Sequence, residues 1–572
     1  MKKHKYLFVV GGVMSGVGKG IAAASIGKIL QARGLVVNPI KIDPYLNVDA
    51  GTMNPIEHGE VFVLSTGLEC DQDMGNYERF MDIELENENY MTNGMVFKTV
   101  IDRERNLGYN GKCVEPTFHI SEEIIMRIIT SSKKNNADVT IVEIGGTVGE
   151  YQNAIFIEAA RTMKLKNPGD VGFVMVSYLP IPSTLGEMKT KPTQHAIRTL
   201  NSYGVHPDII IGRASKPLDD KRKRTIADFC NIPYNHIISA PDVSSIYEVP
   251  VNFEKDGLSE ILLKLLKLKK KNEVDLSDWR KMMTRIETRT NEVRIGMIGK
   301  YFKTGDFVLS DVYISIIESL KQAAGAQNRK VVIDWLDSLD YEKNPERVSE
   351  LSKYDGILVP GGFGSRGIEG KLNAIRYARE NKIPYFGICY GMQLALVEFA
   401  RTVMGLSANT TEVDAKSKAP VIDLMPEQIK NLKDHNYGGT MRLGSYPAQL
   451  KKGTIAYGSY SSAEGRWTIS KGEATPYLIK ERHRHRYEVN PEYINEFEKA
   501  GIVFSGVSLD GHLMEIMELP KKDHPFFIGT QFHPEFTGSF LHPHPIFSAF
   551  IKAAIKKQDV EIHVPVTSEV GQ

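Results

Sequence analysis

Cysteine is scarce in this sequence. Only four of its 572 residues are cysteines, namely Cys70, Cys113, Cys230 and Cys389, and they are far apart with no C-x-x-C pair. Structural disulfides and zinc knuckles require closely spaced sets of cysteines, so this pattern argues against both. It fits a protein of the reducing cytoplasm, and we expect a cytoplasmic location.

A surplus of charge of either sign is also missing. The chain carries 71 Lys and Arg residues against 70 Asp and Glu residues, which gives a formal net charge of +1. It therefore has no global field that would attract nucleic acid or an anionic membrane, and any site for a polyanion must be local. We expect no nucleic-acid partner.

Long hydrophobic runs are absent as well. No stretch of about 18 apolar residues exists, which argues against a membrane-spanning helix. The apolar part of the N-terminus, residues 6–10, is too short for the hydrophobic region of a signal peptide and runs into glycines. We expect no membrane partner.

What the sequence does contain is a repeated alternation of short apolar runs with longer amphipathic stretches. Runs of this length that are rich in valine and isoleucine predict strands buried on both faces, and the intervening stretches predict helices. The pattern therefore predicts an α/β fold with a parallel sheet. In the N-terminal half the runs are residues 6–10, 36–42, 138–144, 172–178 and 208–212.

This alternation stops once and then restarts, which predicts two α/β domains. A lysine-rich stretch, residues 262–272, is typical of a solvated helix end, and polar sequence follows it. Alternation resumes at residues 293–299 and continues to residues 384–388. The predicted boundaries are a domain at residues 1–267, an exposed linker at 268–291, a second domain at 292–556 and a tail of little pattern at 557–572.

The most informative segment of the second domain is Y-F-G-I-C-Y-G-M-Q, residues 385–393. An apolar strand leads into the pattern G-x-C-x-G, in which the cysteine is Cys389. A helical pattern follows. This is the arrangement of a nucleophile elbow with cysteine in place of serine. It places the thiol of Cys389 at a helix N-terminus, where the helix dipole favours the thiolate.

A cysteine nucleophile needs a base, an orienting group and an oxyanion hole. His533 and Glu535 follow an apolar strand at residues 526–530, and their spacing of two lets them leave an extended chain on one face. His533 is therefore the candidate base and Glu535 its orienting group. The glycines of V-P-G-G-F-G, residues 359–364, follow another strand and predict an oxyanion hole of backbone N–H groups.

With these motifs, residues 292–556 resemble the class I glutamine amidotransferases. The resemblance implies that Cys389 attacks the side-chain amide of glutamine and that a thioester forms. His533 would protonate the departing ammonia and then help water to hydrolyse the thioester. The glutamine pocket implied by the resemblance consists of Gly362, Tyr390, Gly391, Met392, Gln393, Glu412 and Arg486.

The N-terminal domain begins with a glycine-rich loop between a strand and a helix, residues 11–20, which predicts phosphate binding. The match to the usual phosphate loop is imperfect. Val13 stands where the first glycine is expected, and Gly20 replaces the serine or threonine that holds Mg²⁺ after the lysine, here Lys19. The missing hydroxyl predicts that other side chains hold the cation.

Two acids are candidates for that role. Asp73 lies in E-C-D-Q-D-M-G, and Glu143 ends the otherwise apolar strand of V-E-I-G-G-T. Oxygen ligands together with ATP phosphates suit Mg²⁺. Ordinary surface acids are the alternative for both, more so for Asp73. Lys41 at a strand end and the stretch G-E-M-K-T-K-P-T-Q-H, residues 186–195, are suited to anions, with solvated loops as the alternative.

These residues, together with D-P-Y-L-N-V-D at 43–49, H-G-E-V at 58–61 and R-H-R-H-R-Y-E-V-N at 482–490, resemble the CTP synthase family over about residues 1–556. The resemblance implies two doubly wound, mostly parallel-sheet domains, of which the first is like dethiobiotin synthetase. It also implies a reaction in which ATP phosphorylates O4 of UTP, and ammonia from glutamine replaces the phosphate to give CTP.

The resemblance also carries binding roles to individual residues. For ATP it implies Gly16, Val17, Gly18, Lys19, Gly20, Ile21, Lys41, Asp73 and Val243, and for Mg²⁺ it implies Asp73 and Glu143. For UTP, and for CTP as a feedback inhibitor in an overlapping site, it implies Ser15, Glu150, Tyr151, Gln152, Lys189, Thr190, Lys191, Pro192, Thr193, Gln194 and Thr225.

By the same resemblance the chain forms homotetramers with UTP sites at subunit interfaces, and filaments are a further possibility in the family. GTP would activate glutamine use near residues 438–444. Two positions depart from the family pattern: Glu150-Tyr151-Gln152 stands where many members have Asp-x-Glu, and Thr225 where some have lysine. These departures bear on the contacts with the pyrimidine ring and with phosphate, and on the strength of feedback.

Two other functions compete with this interpretation. Another ligase of the same build, such as a cobyrinic-acid-type amide synthetase, would share a phosphate-loop domain and a cysteine domain, but D-P-Y-L-N-V-D and K-T-K-P-T-Q argue against it. A non-catalytic filament or scaffold protein descended from the enzyme is the second. The complete set of Cys389, His533, Glu535 and Lys19 argues against that alternative.

Overall fold

The computed structural model describes residues 3–562 except 185, 288, 301–302, 305–306, 309, 464–466 and 468–476. Contacts divide the chain into two compact units, of which the first comprises Met1–Ala50 with Cys70–Arg280 and the second residues 51–69 with residues 281–572. This division differs from the predicted domain at residues 1–267 in two segments, because residues 51–69 pack with the second unit and residues 268–280 pack with the first. That segment contains a short helix, Pro55–His58, and a strand, Val61–Val63.

The first unit is built on a parallel sheet, which confirms the predicted α/β fold. Among its described residues seven strands are paired side by side, all in parallel. Every residue of the central strand, Lys5–Gly12, is buried, as expected for a strand covered on both faces. In spatial order the strands are Tyr90–Thr92, Val37–Asp43, Val139–Ile144, Lys5–Gly12, Val171–Tyr178, Ile209–Ala214 and Ile237–Pro241.

Helices connect and cover these strands. Because all strands run the same way, their carboxyl ends and the loops that follow lie at one edge of the sheet, where α/β folds bind ligands. The helices of this unit are Lys19–Ala32, Asp73–Met81, Asn93–Arg105, Ser121–Lys134, Ala154–Lys166, Lys191–Ser202, Asp220–Cys230, Val249–Lys255 and Leu258–Leu265, with a π-helical turn at Pro116–Ile120.

A further helix, Ser277–Glu287, occupies part of the predicted exposed linker. Trp279 near its start is only 2% exposed, because its ring packs against Phe80 and Tyr247. The Trp279 indole N–H also donates to the Tyr247 carbonyl oxygen at 2.7 Å. The middle of the linker, at Trp279, is therefore packed into the first unit rather than being a solvated connection.

The second unit is built on a mixed sheet. In its described part, five strands are parallel, and four further strands continue the sheet in antiparallel order. The spatial order is Lys330–Asp337, Glu292–Gly299, Gly356–Val359, Tyr385–Ile388, Phe527–Thr530, Met514–Glu518, Val503–Ser508, Arg442–Leu450 and Tyr477–His485. A smaller sheet contains Ala408–Thr410, Ala419–Leu424 and Tyr487–Val489.

The helices of the second unit pack on its main sheet and form two buried apolar clusters with it. They are Ile314–Ala326, Ser338–Lys343, Ile368–Glu380, Tyr390–Thr402, Pro426–Lys433, Ile455–Ser461, Ile494–Ala500 and Pro545–Ile562. The last helix continues six residues into the predicted tail at 557–572 and ends at Ile562. The rest of that tail, residues 563–572, lies outside the described residues.

Candidate functional site

The glycine-rich loop of the first unit leaves the central strand and enters the helix Lys19–Ala32. Gly16 and Gly18 have φ angles of 68° and 87°, a left-handed conformation that glycine adopts without strain. Val13 has a φ angle of 79°, which is unfavourable for a β-branched residue and marks a strained position in this loop. The loop therefore has the backbone of an anion-binding turn although its sequence departs from the usual pattern.

Lys19 is the first residue of that helix and is 8% exposed. Its Nζ donates to the Gly146 carbonyl oxygen at 2.8 Å, at the end of the neighbouring strand. Burial lowers the pKa of Lys19, whereas the nearby Glu143 carboxylate raises it. The ammonium is thus held at the carboxyl edge of the sheet, directly beside the glycine-rich loop.

Lys41 lies at the centre of a cluster of carboxylates at the same edge. Its Nζ is 3.5 Å from Asp43 Oδ1, 3.4 Å from Asp71 Oδ1 and 3.4 Å from Glu143 Oε1, and it also donates to Asp73 Oδ2. The structure thus brings together the sequence candidates Lys41, Asp73 and Glu143, which are distant in the chain. Asp43 and Asp71 complete the cluster.

This cluster contains more carboxylates than ammonium groups, since four carboxylates surround Lys41 and Lys19 supplies a second ammonium nearby. Burial by itself would lower the pKa of Lys41, but the four carboxylates raise it well above its ordinary value. Burial raises the pKa of Glu143, and Lys41 only partly opposes this. A surplus of buried carboxylate of this kind favours the binding of a further cation.

Gly20 explains how Asp73 enters the cluster. A Cβ atom at residue 20 would overlap the Asp73 carboxylate. Asp73 is fixed there because Asn76 Nδ2 donates to its Oδ1 at 3.3 Å and its own backbone N–H donates to Asp71 Oδ1 at 2.8 Å. Asp73 therefore occupies the space that the serine or threonine of a usual phosphate loop would need.

An apolar cleft opens next to the glycine-rich loop. Val243, which was predicted to lie near adenine, lines it together with Gly18 and Ile21. The sequence did not indicate Arg213, whose guanidinium also lines the cleft and donates to the carbonyl oxygens of Ala240 and Pro241 at 3.1 and 3.0 Å. A cleft of this composition suits a flat apolar ring.

The residues predicted to contact the pyrimidine nucleotide are mostly accessible. Ser15 is exposed and Tyr151 is 97% exposed. Glu150 accepts hydrogen bonds from Thr147 and from Gln152 Nε2, so it stabilises its own loop. Thr193 is the exception: it is fully buried, and its hydroxyl bonds to Ser177 Oγ at 2.9 Å.

Several of the other predicted pyrimidine residues have side chains with local hydrogen-bond partners in the described part of the chain. Lys189 pairs with Glu187, and Gln194 Nε2 donates to Thr190 Oγ1 at 3.1 Å. Lys191 and Pro192 open the helix Lys191–Ser202. Thr225 is half-buried, and its hydroxyl donates to the Lys221 carbonyl oxygen within its own helix.

In the second unit, Cys389 has the strained backbone of a nucleophile elbow. Its φ angle is 50°, which costs a non-glycine residue about 1–3 kcal/mol, and it immediately precedes the helix Tyr390–Thr402. The glycines on either side are required by packing: a Cβ at Gly391 would overlap the Val359 carbonyl oxygen, and one at Gly387 would lie 2.7 Å from Gly391. This confirms the sharp turn predicted from the sequence.

His533 and Glu535 lie beside Cys389, as the sequence predicted. Glu535 Oε1 is 2.8 Å from His533 Nδ1, which leaves Nε2 without a hydrogen bond among the described residues. Burial by itself would lower the pKa of His533, but the Glu535 carboxylate and Cys389 oppose this and raise it to about 10. The arrangement favours an imidazolium that a carboxylate orients and that faces the sulfur of Cys389.

The glycine loop at residues 361–364 lies next to this pair. A Cβ at Gly361 would lie 3.0 Å from the His533 ring, so the loop approaches the base closely. Glu412 Oε1 accepts the Gly364 N–H at 2.7 Å, which fixes the end of the loop. Arg486 instead donates to Gln428 and to Tyr437 and Thr440.

Two side chains near Cys389 were not indicated by the sequence. Gln531 Nε2 is 3.6 Å from Cys389 Sγ, and its Oε1 accepts a hydrogen bond from Gln393 Nε2 at 3.1 Å. Arg484 lines the cavity in front of Cys389 and donates to Glu69 at 2.8 Å. The R-H-R-H-R motif was recognised as a family motif, but nothing in its spacing indicates which arginine faces the cysteine.

The cavity in front of Cys389 is also lined by residues from the segment 51–69. Pro55, Glu60 and Val61 contribute to its wall. Glu60 is anchored at this place because its carboxylate accepts hydrogen bonds from the Ser315 backbone N–H, at 3.2 Å, and from the Ser315 hydroxyl. An N-terminal segment thus completes the pocket of the cysteine.

The described part of the chain has neither a self-contained metal centre nor a membrane-spanning helix. No group of three or more His, Cys, Asp or Glu side chains forms a metal centre by itself among those residues, and the carboxylate cluster described above surrounds the Lys41 ammonium. No helix there is both long and apolar enough to cross a membrane. All four cysteines are free thiols.

Sequence comparisons find relatives along nearly the whole chain. The family profile described as CTP synthase N-terminus matches residues 5–268, and the profile described as class I glutamine amidotransferase matches residues 308–553. A CTP synthase of Pyrococcus furiosus is 50% identical over 553 residues, which cover 96% of this chain and 98% of that protein. A CTP synthase of Methanococcus aeolicus is 47% identical over 563 residues, with coverages of 97% and 99%.

One similar solved structure is titled "Trypanosoma brucei CTPS - glutaminase domain with bound acivicin". It is 34% identical and covers 46% of this chain and 94% of its own, with a TM-score of 0.40. A score this low carries no argument about the fold.

Proposed function

The chain belongs to the CTP synthase family, and on that basis we propose how its residues carry out the family's reaction. It is a glutamine-hydrolysing ligase that uses ATP to aminate UTP to CTP. Its substrates are therefore small molecules, namely UTP, ATP and glutamine. Identity over nearly the whole chain to CTP synthases argues against a different amide ligase of the same build.

In the second unit we assign glutamine hydrolysis to Cys389, His533 and Glu535. This assignment rests on the strained backbone of Cys389 and on the adjacent His533, whose Nδ1 is oriented by Glu535 Oε1 at 2.8 Å. The thiolate attacks the amide carbon, and the proton on His533 passes to the leaving nitrogen, so that ammonia departs and a thioester remains. His533 then takes a proton from water, which hydrolyses the thioester to glutamate and regenerates the thiolate.

We assign stabilisation of the oxyanion in both steps to backbone N–H groups of the loop at residues 361–364, other than the Gly364 N–H, which Glu412 accepts. Gly362 and residues 390–393 are assigned to the glutamine pocket, and Gly362 lines the observed cavity. Glu412 and Arg486 are assigned to the charged end of glutamine. The Glu412 carboxylate has a second oxygen besides the one bound to Gly364, which supports its role as partner of an ammonium group.

In the first unit we assign ATP binding to residues 16–21, Lys41, Asp73 and Val243. The glycine-rich loop with Lys19 suits the phosphates, and the apolar cleft at Val243 suits the adenine ring. Asp73 and Glu143 fit a Mg²⁺ ion, since Mg²⁺ is commonly held by one or two carboxylates together with substrate phosphates. When bound, the ion would neutralise charge on the phosphates during transfer.

For UTP, and for CTP as feedback inhibitor, we assign Ser15, residues 150–152, residues 189–194 and Thr225. Their general accessibility supports contact with a nucleotide. Thr193 fits only as a support, because its buried hydroxyl bonds inside the unit. The loop of Glu150 is closed by its own hydrogen bonds, which supports a binding surface formed before the ligand arrives.

The assembly and regulation of the enzyme are further proposals. A homotetramer is supported by exposed large apolar side chains on the first unit, including Ile101, Leu107 and Phe118, which are 56%, 72% and 61% exposed.

GTP activation is assigned to the neighbourhood of residues 438–444, where Arg442 itself is held by Glu515 at 2.7 Å. Four free thiols support a cytoplasmic location. Filament formation stays a prediction, as do domain boundaries at residues 267 and 292.

A direct assay tests the function. The purified chain is incubated with ATP, UTP and Mg²⁺, with either glutamine or ammonium as nitrogen source, and CTP is measured with and without GTP. We expect CTP from both nitrogen sources and a rise with GTP only for glutamine. Absence of CTP from both sources would contradict the function, and glutamine hydrolysis without CTP would instead indicate a different acceptor.

A further inference from the structure

Tyr77 is a buried side chain that no part of the proposed reaction yet uses. It lies on the helix Asp73–Met81 and is 0% exposed. Its hydroxyl donates to Glu143 Oε2, on a strand 66 residues further along the chain. The other oxygen of Glu143, Oε1, faces Lys41 Nζ at 3.4 Å. Tyr77 and Lys41 thus hold the two oxygens of one carboxylate.

The position of Tyr77 on its helix ties it to Asp73. Residues four apart lie on the same face of a helix, so the helix that presents Asp73 to the cluster also presents Tyr77 to it. Asp73 is in turn held by Asn76 from the same helix at 3.3 Å. One helix therefore determines the positions of both carboxylates that are assigned to the metal ion.

The two partners of Glu143 differ in their effect on a cation. The Lys41 ammonium repels a cation and competes with it for the carboxylate. The Tyr77 phenol is a neutral donor, so it can keep Oε2 in place whether or not a cation is bound. Carboxylates that bind metals are commonly oriented by such hydrogen-bond partners, and loss of the partner weakens metal affinity by about 10- to 100-fold.

We propose that Tyr77 is a positioning residue that orients Glu143 toward the divalent cation bound with ATP. This rests on the proposed role of Glu143 in the first unit. Tyr77 contacts neither substrate nor reacting atoms in this proposal. It acts only through the direction that it imposes on the Glu143 carboxylate.

The test measures cation affinity in the full chain with Mn²⁺ as the probe, by its electron paramagnetic resonance signal, in the presence of a non-hydrolysable ATP analogue. We expect Tyr77→Phe to weaken Mn²⁺ binding by about 10- to 100-fold. The Mg²⁺ concentration needed for half-maximal CTP formation from ammonium should rise in parallel, and excess Mg²⁺ should restore much of the rate. Glutamine hydrolysis should remain unchanged.

Tyr341→Phe is the matched control, because Tyr341 is also buried and donates to a glutamate, Glu350 Oε1, at 2.9 Å in the second unit. It should leave Mn²⁺ affinity unchanged. If Tyr77→Phe lowers the melting temperature but not Mn²⁺ affinity, Tyr77 is only structural and the inference fails. Glu143→Gln distinguishes failure of the Tyr77 proposal from failure of the proposed metal site. If that variant also binds Mn²⁺ normally, the proposed metal site itself is wrong.

Discussion

The Asp73 carboxylate occupies the space beside Gly20 in which a side chain at residue 20 would lie. The usual phosphate loop has a serine or threonine hydroxyl after its lysine, and here the acid and the glycine replace that arrangement together. The two residues are therefore one feature of the site. A change at either one must disturb the other, because Asp73 is held by Lys41 and Asn76 and cannot move freely.

Gly20→Ala tests this relationship. The added methyl group should displace Asp73, and overpacking of this kind costs about 1–3 kcal/mol. We expect CTP formation from ammonium to fall about tenfold or more, while glutamine hydrolysis is retained. Gly458→Ala is the control, since it lies in a helix and a Cβ there meets nothing within 4 Å. Full activity of Gly20→Ala would show that Asp73 tolerates displacement.

Cys389→Ser should separate the two half-reactions. Serine lacks the thiolate nucleophile, so CTP formation from glutamine should be abolished, whereas formation from ammonium should stay within about twofold of the parent enzyme. Both rates are measured as CTP formed. Cys113→Ser, at an exposed cysteine, should leave both unchanged. Equal loss with both nitrogen sources in Cys389→Ser would contradict two separate sites.

Lys19→Ala should have the complementary effect. Without its ammonium beside the glycine-rich loop, the phosphates of ATP lose a charged partner, so CTP formation should vanish with glutamine and with ammonium alike. Basal glutamine hydrolysis should persist, because Cys389 and its partners are in the other unit. Lys28→Ala, further along the same helix, serves as the control. CTP production that survives in Lys19→Ala would remove Lys19 from the mechanism.

Lys371 provides a prediction about stability. Its side chain is fully buried, and its Nζ makes no hydrogen bond among the described residues. The pKa of Lys371 is lowered from 10.5 to about 7, because burial and the nearby Lys300 lower it more than Glu412 raises it. Between these pH values the unfolded chain binds more protons than the folded chain, so Lys371 destabilises the fold less as the pH rises above 7.

Lys371→Met should therefore be more stable than the parent by roughly 1–4 kcal/mol near pH 7, because it removes a buried charge and keeps a similar volume. The gain in melting temperature should shrink steadily from pH 7 to pH 9.5 and be largest at or below pH 7. Melting curves of both proteins across this range provide the measurement. A gain independent of pH would mean that Lys371 does not titrate as described.

Much of the fold follows from local pattern. The apolar runs at residues 6–10, 138–144 and 384–388 became strands close to their predicted bounds, because burial on both faces of a parallel sheet demands continuous apolar sequence. The antiparallel half of the second sheet was not predicted. Its strands mix polar with apolar residues, and some of them, such as Arg442–Leu450, are partly exposed, so their apolar runs are not distinctive.

The candidate site residues likewise fall into those that the sequence indicated and those that it did not. Cys389, His533, Glu535 and Lys19 lie in motifs whose spacing encodes a local backbone geometry, an elbow or a loop, and they were recognised from the sequence alone. Arg484, Gln531, Arg213 and Tyr77 were not, because what makes them relevant is proximity to a residue far away in the chain.

The sequence by itself thus determined the two α/β units, the candidate cysteine nucleophile with its candidate histidine and glutamate partners, and the glycine-rich loop with Lys19. The tertiary structure alone decided that residues 51–69 complete the pocket of Cys389, that Trp279 anchors the supposed linker, and that Asp73 fills the space beside Gly20. The physical reason is the separation in sequence of the interacting residues. Burial of one strand or helix produces a periodic pattern of apolar residues in the sequence, whereas packing between distant segments produces no such pattern.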